Sequence, residues 1–137
     1  MKFKSILVID DSFFDRLIAQ EVIKQSIMTD EIITIDSGTE GLEYLISKAE
    51  TPALLPEIIF LDIKMPVMDG FEFLEKYDAL PLIIKENCKI YMLSSSVDTK
   101  DIDKAHHSKY VVDFIEKPLS KDKLISLSQQ YCDERKN

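Results

Sequence analysis

The sequence predicts an α/β fold, a doubly wound sheet of five parallel strands. Five short apolar runs of strand length recur along the chain, and helical patterns lie between them. Two of those runs, ILVI at 6–9 and IIFL at 58–61, are continuously apolar and end directly at an acidic residue, which is typical of buried parallel strands. The chain has 137 residues, which is enough for one domain with a core and too few for two ordinary domains.

The five strands are predicted from apolar runs that are bounded by polar or turn-forming residues. They are expected at residues 4–9, 31–35, 57–61, 89–93 and 111–115. Residues 51–56 and 78–87 are expected to form loops, since Pro81 would interrupt any helix that starts near Gly70. No internal repeat, low-complexity tract or linker divides the chain.

The helices are predicted from capping residues followed by apolar residues at helical spacing. Asp15 is expected at the third position of the first helix as a variant of the capping box, and Glu40 at the same position of the second. A short polar helix is expected to end at about residue 107. The capping residues of the four helices are Ser12, Ser37, Asp98 and Ser120. The apolar residues behind them are Phe14, Leu17, Ile18 and Val22, then Leu42, Leu45, Ile46 and Ala49, and in the last helix Leu124, Leu127 and Tyr131.

Composition and charge exclude several classes of function. The net charge is −8, which argues against nucleic acid or an anionic membrane as the main partner, because both need clustered Lys and Arg. Hydrophobic residues make up 45% and charged residues 31% of the chain, as in globular proteins. No apolar run approaches the ~20 residues that span a bilayer. The chain is therefore expected to bind neither nucleic acid nor membrane.

The cysteines and the two ends of the chain predict its compartment and its extent. Cys88 and Cys132 lie far apart and form no C-x-x-C motif, so both thiols are expected to be free in a reducing cytoplasm. The first residues lead straight into a strand and lack a small-residue cleavage site, so no signal peptide is expected. The last helix runs almost to the end, and residues 1–137 are expected to form a single domain without an output domain.

Three acidic residues follow two of the predicted strands. Asp10 and Asp11 come directly after the first strand, and Asp62 comes directly after the third. If those strands are neighbours, the three carboxylates converge at the carboxyl edge of the sheet, where ligands bind in open α/β folds. A divalent metal, a lysine or both must then offset their repulsion, and a hard octahedral cation such as Mg²⁺ fits such a donor set. A single aspartate at a strand end is more often a turn or helix cap, so the prediction depends on the cluster of three.

Further candidates follow the other strands. Lys117, after the fifth strand, could reach the same edge as a point charge for a phosphoryl oxygen, and the bond to Pro118 is a candidate cis peptide. Ser94 ends the fourth strand and could donate a hydroxyl to such an oxygen, while Phe114 could be a movable aromatic side chain. The simpler alternatives are a surface lysine, a polar loop and ordinary core packing.

A short loop after Asp62 carries turn-forming residues at fixed distances. It contains Met65-Pro66 and Asp69-Gly70, where Pro66 sets φ and Gly70 permits positive φ. A loop of this shape could direct the backbone carbonyl of Lys64 at the metal.

Taken together, these residues resemble the receiver domain of two-component response regulators, specifically the stand-alone, chemotaxis-receiver-like kind. The resemblance covers essentially the whole chain, and it implies a flavodoxin-like sheet with strand order 2-1-3-4-5. It depends on an ordered set of elements at the spacing of that family: Asp10-Asp11, Asp62, Met65-Pro66, Asp69-Gly70, Ser94, Phe114 and Lys117-Pro118.

The resemblance implies a role for each matched residue. Asp62 would be the phosphoacceptor, which takes a phosphoryl group from a phosphohistidine to give an aspartyl phosphate. Lys117 and Ser94 would bind the phosphoryl oxygens. The residues implied to hold Mg²⁺ are Asp10 through water, Asp11 and Asp62 directly, and Lys64 through its backbone carbonyl.

The resemblance also implies a switch and its partners. Ser94 would move towards the phosphoryl group, and Phe114 would fill the space it leaves, changing a face formed by the fourth helix, fifth strand and fifth helix. The implied partners are a sensor histidine kinase or histidine phosphotransfer protein, and a downstream protein target or a second copy on that face. The chain would assist its own phosphotransfer and dephosphorylation, without a separate substrate.

Three residues depart from the usual pattern of this family. Position 94 has serine in place of the commoner threonine, and Phe114 has no hydroxyl. Lys64, two residues after Asp62, adds a cation that leaves the phosphate lifetime open.

Other functions fit the sequence less well. A scaffold that works without phosphorylation would need neither the acidic set nor Lys117. A Mg²⁺-dependent phosphatase with an aspartyl nucleophile usually has an acid where Lys64 stands. A flavodoxin would need a phosphate-binding loop after the first strand, where Asp10 and Asp11 stand. The adjacent histidines, His106 and His107, are interpreted as solvated surface residues.

Overall fold

The computed structural model describes residues 2–26, 28–95 and 98–136, with the backbone alone described for 131–136. It contains a five-stranded sheet in which every pair of neighbouring strands is parallel, in the order β2-β1-β3-β4-β5. The strands are β1 (Ile6–Ile9), β2 (Ile32–Ile35), β3 (Ile58–Asp62), β4 (Lys89–Ser94) and β5 (Val111–Glu116). The predicted α/β class and the strand order implied by the resemblance are both confirmed, and each strand lies within two residues of its predicted bounds.

Helices cover the sheet on both sides. They are α1 (Phe13–Gln25), α2 (Gly38–Ser47), α3 (Gly70–Asp78), α4 (Leu82–Asn87), α5 (Thr99–His107) and α6 (Lys121–Lys136), with a 3₁₀ turn at Pro52–Leu54. Side chains on one face of the sheet, such as Ile9 and Met92, pack with α2, α3, α4 and α5. Those on the other face, such as Val8 and Tyr91, pack with α1 and α6. The central strands are buried on both faces, which explains their continuously apolar sequences.

Two helices, α3 and α4, lie between β3 and β4. The Asp69–Gly70 pair begins α3 with a complete capping box: the Asp69 carboxylate accepts from the Glu72 amide at 2.8 Å, and the Glu72 carboxylate accepts from the Asp69 amide. The prediction of a loop throughout 78–87 is wrong for 82–87. Pro81 does not prevent a helix here but caps the start of α4. Ile84 of this helix is fully buried in the core.

The loop between β3 and α3 has a different geometry from the one predicted. None of the glycines has positive φ, and the residue that adopts it is Val67, at 68°. Gly70 is needed for close packing, because a Cβ there would lie 2.7 Å from the backbone oxygen of Asp62 and 3.0 Å from the Cα of Ile63. The amide of Gly70 donates to the Ile63 carbonyl at 2.8 Å, which fixes the start of α3 against the end of β3.

Candidate functional site

The first and third strands are neighbours, and this brings the three predicted carboxylates together. Ile9 lies opposite Leu61, so Asp10 and Asp62 follow side by side at the carboxyl edge of the sheet. Oxygens of Asp10, Asp11 and Asp62 lie within 4.8 Å of one another. Asp10 and Asp62 are almost completely buried, whereas Asp11 is exposed. One side of the cluster therefore opens to solvent while the other is enclosed.

Lys117 reaches this cluster from the end of β5. Its Nζ lies 2.6 Å from Oδ2 of Asp10, 2.8 Å from Oδ2 of Asp15 and 3.2 Å from Oδ1 of Asp62. Its backbone amide donates to the Ser94 carbonyl at 2.8 Å, which joins the loop after β5 to the end of β4. The Lys117–Pro118 peptide bond is cis.

The electrostatics of the cluster raise two pKa values. Burial and the nearby charge of Asp10 raise the pKa of Asp62 from 3.8 to about 7, although the ammonium of Lys117 acts in the opposite direction. Burial lowers the pKa of Lys117, but its hydrogen bonds to Asp10 and Asp15 and the charge of Asp62 outweigh that effect and leave it above its ordinary value. Lys117 is thus a fixed cation, and Asp62 is a carboxyl group close to its own titration point at neutral pH.

Two residues of α1 position the cluster and were not assigned to the site from the sequence. Ser12 caps α1 as predicted, but the Asp15 carboxylate pairs with Lys117 and does not complete a capping box. Arg16 donates from Nη1 to the backbone oxygen of Asp10 at 2.8 Å. The Ser12 amide also donates to Oδ1 of Asp10 at 2.9 Å. The position of Asp15 and Arg16 in the sequence could have indicated this role, because the first turn of a helix that follows β1 must lie at the same sheet edge as Asp10.

The two residues implied to switch lie on adjacent strands. Ser94 is buried at the end of β4, one residue beyond Leu93, which is paired with Asp62 across the sheet. Phe114 lies opposite Met92, is half-buried, and packs against the core on the α5 side.

The chemistry of the donor set fits a hard divalent cation. Three carboxylates with oxygens within 4.8 Å of one another supply the oxygen ligands that Mg²⁺ prefers, and the exposed side of Asp11 leaves room for waters. Lys64 is exposed and lies two residues after Asp62, on the loop that follows β3.

The remaining predictions concern residues away from this edge. His106 and His107 are both exposed; Nδ1 of His107 lies 2.6 Å from the Asp103 carbonyl, and His106 lies 3.8 Å from Asp113. Cys88 is a buried free thiol whose pKa is raised by burial to about 12, while the side chain of Cys132 lies outside the described residues. In the described part of the chain, none of the helices is both long and apolar enough to cross a membrane.

Comparison with protein families gives a match that includes all five strands of the sheet. A family model for the response regulator receiver domain matches residues 6–129. A crystal structure of a two-component response regulator from Cytophaga hutchinsonii superposes with a TM-score of 0.88 at 28% identity, covering 97% of this chain and 99% of that one.

Curated proteins with similar sequences are mostly longer. A protein-glutamate methylesterase/protein-glutamine glutaminase from Geobacillus kaustophilus is 31% identical over 120 residues, which are 86% of this chain and 31% of that protein. A two-component response regulator from Oryza sativa subsp. indica is 29% identical over 136 residues, or 93% of this chain and 58% of that protein. The chain thus spans about a fifth to a third of the length of the methylesterases it matches.

Proposed function

The chain belongs to the family of response regulator receiver domains, and from that membership we propose that it is a phosphorylation switch of two-component signalling. In this proposal Asp62 accepts a phosphoryl group from a phosphohistidine of a sensor kinase or a phosphotransfer protein. The observation that carries the proposal is the pair formed by Asp62 and Lys117, a buried carboxylate and a fixed cation 3.2 Å apart at the carboxyl edge of the sheet.

The proposed transfer uses the carboxylate of Asp62 as the nucleophile and the phosphohistidine of the donor as the source of the phosphoryl group. An ionised oxygen of Asp62 attacks phosphorus, the P–N bond to the donor imidazole breaks, and its electron pair stays on the ring nitrogen. Lys117 and the hydroxyl of Ser94 donate to the phosphoryl oxygens and offset the charge that spreads over them. Lys117 carries its charge throughout, since its pKa is raised.

The acidic cluster would hold the divalent cation on which the transfer depends. Asp11 and Asp62 would bind Mg²⁺ directly, with Asp10 acting through water and Lys64 through its backbone carbonyl. When bound, Mg²⁺ supplies charge neutralisation for the attacking carboxylate and the phosphoryl oxygens. Asp10 has a second role, because Ser12 and Arg16 fix it and it holds Lys117 at 2.6 Å.

The exposed apolar start of α1 supports a protein as the phosphoryl donor. The side chains of Phe13 and Phe14 are 64% and 73% exposed, and Leu17 and Ile18 continue the same surface along the helix. This surface begins beside Ser12, immediately next to the cluster. A donor protein that brings its phosphohistidine to Asp62 would cover this apolar surface of α1, and burial of these side chains would stabilise the complex.

The proposed output is a change on the face formed by α5, β5 and α6. Because α4 is an additional short helix, this face corresponds to the fourth helix, fifth strand and fifth helix implied by the resemblance. Phosphorylation adds up to about two negative charges next to Ser94, whose movement would let Phe114 rotate inward. A downstream protein or a second copy of the chain would bind this face.

The test is the intact mass of the protein after incubation with acetyl phosphate and Mg²⁺. We expect one added phosphoryl group that is absent with a chelator and absent in Asp62→Asn. Glu21→Gln, which removes a charge from the exposed side of α1, is expected to react like the wild type. An unmodified wild type after rapid quenching, with Mg²⁺ binding demonstrated in parallel, would exclude the phosphoacceptor role and favour a scaffold that acts without phosphorylation.

A further inference from the structure

The ammonium group of Lys117 has as many carboxylate partners as it has N–H donors. An ammonium carries three donors. Oxygens of Asp10, Asp15 and Asp62 lie at 2.6, 2.8 and 3.2 Å from Nζ, so one carboxylate is available to each donor. A phosphoryl oxygen on Asp62 can bond to this nitrogen only if one of the three carboxylates gives up its place.

Asp15 is the carboxylate best suited to leave. The Asp10 side chain is 2% exposed and also accepts from the Ser12 amide, and the Asp62 side chain is 7% exposed and would carry the phosphoryl group itself. The Asp15 side chain is 36% exposed, and among the described residues its carboxylate pairs with Lys117. Water can therefore replace Lys117 at Asp15 with little loss, whereas Asp10 would be left as a buried carboxylate without a cation beside it.

The space next to this ion pair would accommodate the separation. Asp15 and Lys117 both line a cavity of about 230 Å³ between α1 and the loop that leads into α6. Its other walls are largely apolar and include Ile18, Leu93, Pro118 and Leu119. The cavity thus leaves open space beside both side chains.

We propose that Asp15 is a positioning residue that holds Lys117 away from full engagement with Asp62 and releases it when a phosphoryl group arrives. The inference depends on the proposed function, because it assigns Asp15 a role in that same reaction. Asp15 then opposes phosphorylation and favours the metal-bound, unphosphorylated state. The reason is that a Lys117 donor bonded to Asp15 does not compete with the metal for Asp10 and Asp62.

This role predicts two effects of opposite sign in Asp15→Asn. Without the Asp15 carboxylate, Lys117 bonds more strongly to Asp10 and Asp62, so the Kd for Mg²⁺ rises by about two- to fivefold, the range expected for a partly exposed ion pair. With Mg²⁺ saturating, the freed donor is available to a phosphoryl mimic, so the Kd for beryllofluoride falls by a similar factor. A purely structural loss in α1 would weaken both.

The experiment measures both constants by calorimetry on wild type, Asp15→Asn, Asp15→Glu and Glu21→Gln, with thermal unfolding as a check of the fold. Glu21→Gln removes the same charge from α1 at a residue that pairs only weakly with Lys24, and it is expected to match the wild type in both constants. Asp15→Glu keeps the carboxylate and is expected to stay within about twofold of the wild type.

The outcomes separate this inference from the proposed function. Wild-type protein that binds Mg²⁺ but no beryllofluoride would overturn the proposed function and the inference with it. Wild-type protein that binds both, combined with Asp15→Asn whose two constants change in the same direction or not at all, would overturn the role of Asp15 alone. Opposite changes in Asp15→Asn, absent from Glu21→Gln, would support it.

Discussion

The ammonium nitrogen of Lys117 lies 3.2 Å from Oδ1 of Asp62, and the same nitrogen lies 2.6 Å from Asp10. A cation from the far end of the sheet thus enters the carboxylate cluster and offsets part of its repulsion. That cation is also the group proposed to hold the phosphoryl oxygens, so lysine, metal and phosphoryl group all depend on the same carboxylates.

Asp62→Asn is expected to stabilise the metal-free protein at pH 8. The folded-state pKa of Asp62 is about 7, above the ordinary 3.8, so the folded protein holds this proton more tightly than the unfolded chain does. The stability that Asp62 contributes is therefore complete below about pH 4 and is lost as the pH rises through 7. Asparagine does not titrate, and we expect it to exceed the wild type by about 2 kcal/mol at pH 8, roughly half of what the shift alone implies because the neighbouring groups titrate together.

Urea unfolding with a chelator at pH 4.5, 6 and 8 measures this difference. The difference in unfolding free energy between Asp62→Asn and the wild type should increase with pH. Glu43→Gln, at an exposed position on α2, is the control and should show no such trend. A difference that decreases as the pH rises would mean that Lys117 outweighs burial and Asp10 at this site.

The affinity for Mg²⁺ is expected to rise with pH through neutrality. Binding requires Asp62 to be ionised, and with a pKa of about 7 only about a tenth of the molecules are ionised at pH 6. The Kd should therefore fall about tenfold between pH 6 and pH 8, with release of a proton on binding near pH 6. Calorimetry in two buffers of different ionisation enthalpy measures both quantities. A Kd that stays constant over this range would show that Asp62 is already ionised at pH 6 or does not bind the metal.

Lys117→Met is expected to make stability depend on Mg²⁺. The side chain of Lys117 is 10% exposed, and removal of one partner from a buried ion pair leaves the carboxylates uncompensated, at a cost of about 3 kcal/mol. Mg²⁺ replaces the missing cation, so the variant should regain most of that loss in millimolar Mg²⁺ and bind Mg²⁺ more tightly than the wild type. Denaturant unfolding with and without Mg²⁺ checks this, with the exposed Lys24→Met as the control. Equal losses in both conditions would indicate that the lysine acts through packing alone.

The parts of the site that follow from strand ends could be predicted from the sequence. Asp10 and Asp62 come directly after continuously apolar runs, and the carboxyl ends of parallel strands share one edge. The pairing of Asp15 with Lys117 joins residues 102 positions apart and depends on which rotamer each adopts. Local spacing gave Asp15 a capping role, because the first turn of a helix usually uses its acid in that way.

The geometry of the loop after Asp62 could not be predicted from the sequence. A glycine at position 70 fits either a positive φ or close packing, and which of the two applies depends on how α3 lies against β3 in the folded protein. Positive φ is found at Val67, which is 96% exposed. The backbone preference of a β-branched residue is against positive φ, so the sequence does not predict it there. Helix α4 was missed for a related reason, because it has six residues and no side-chain cap, and tertiary burial of Ile84 favours its formation.

Gly70→Ala is expected to damage both the fold and the site, since Gly70 packs against the residue proposed to be phosphorylated. Its Cβ would lie 2.7 Å from the backbone oxygen of Asp62 and 3.0 Å from the Cα of Ile63, and neither backbone atom can move without shifting Asp62. We expect a loss of about 2 kcal/mol in unfolding free energy and a weaker affinity for Mg²⁺. Gly38→Ala is the matched control, because its Cβ would meet the sulfur of Met68 at 2.9 Å, and a flexible side chain can move away. Unfolding and Mg²⁺ titration of the two variants test this directly. Equal losses in both would show that β3 and α3 can separate at Gly70, and the close packing would then not be what positions Asp62.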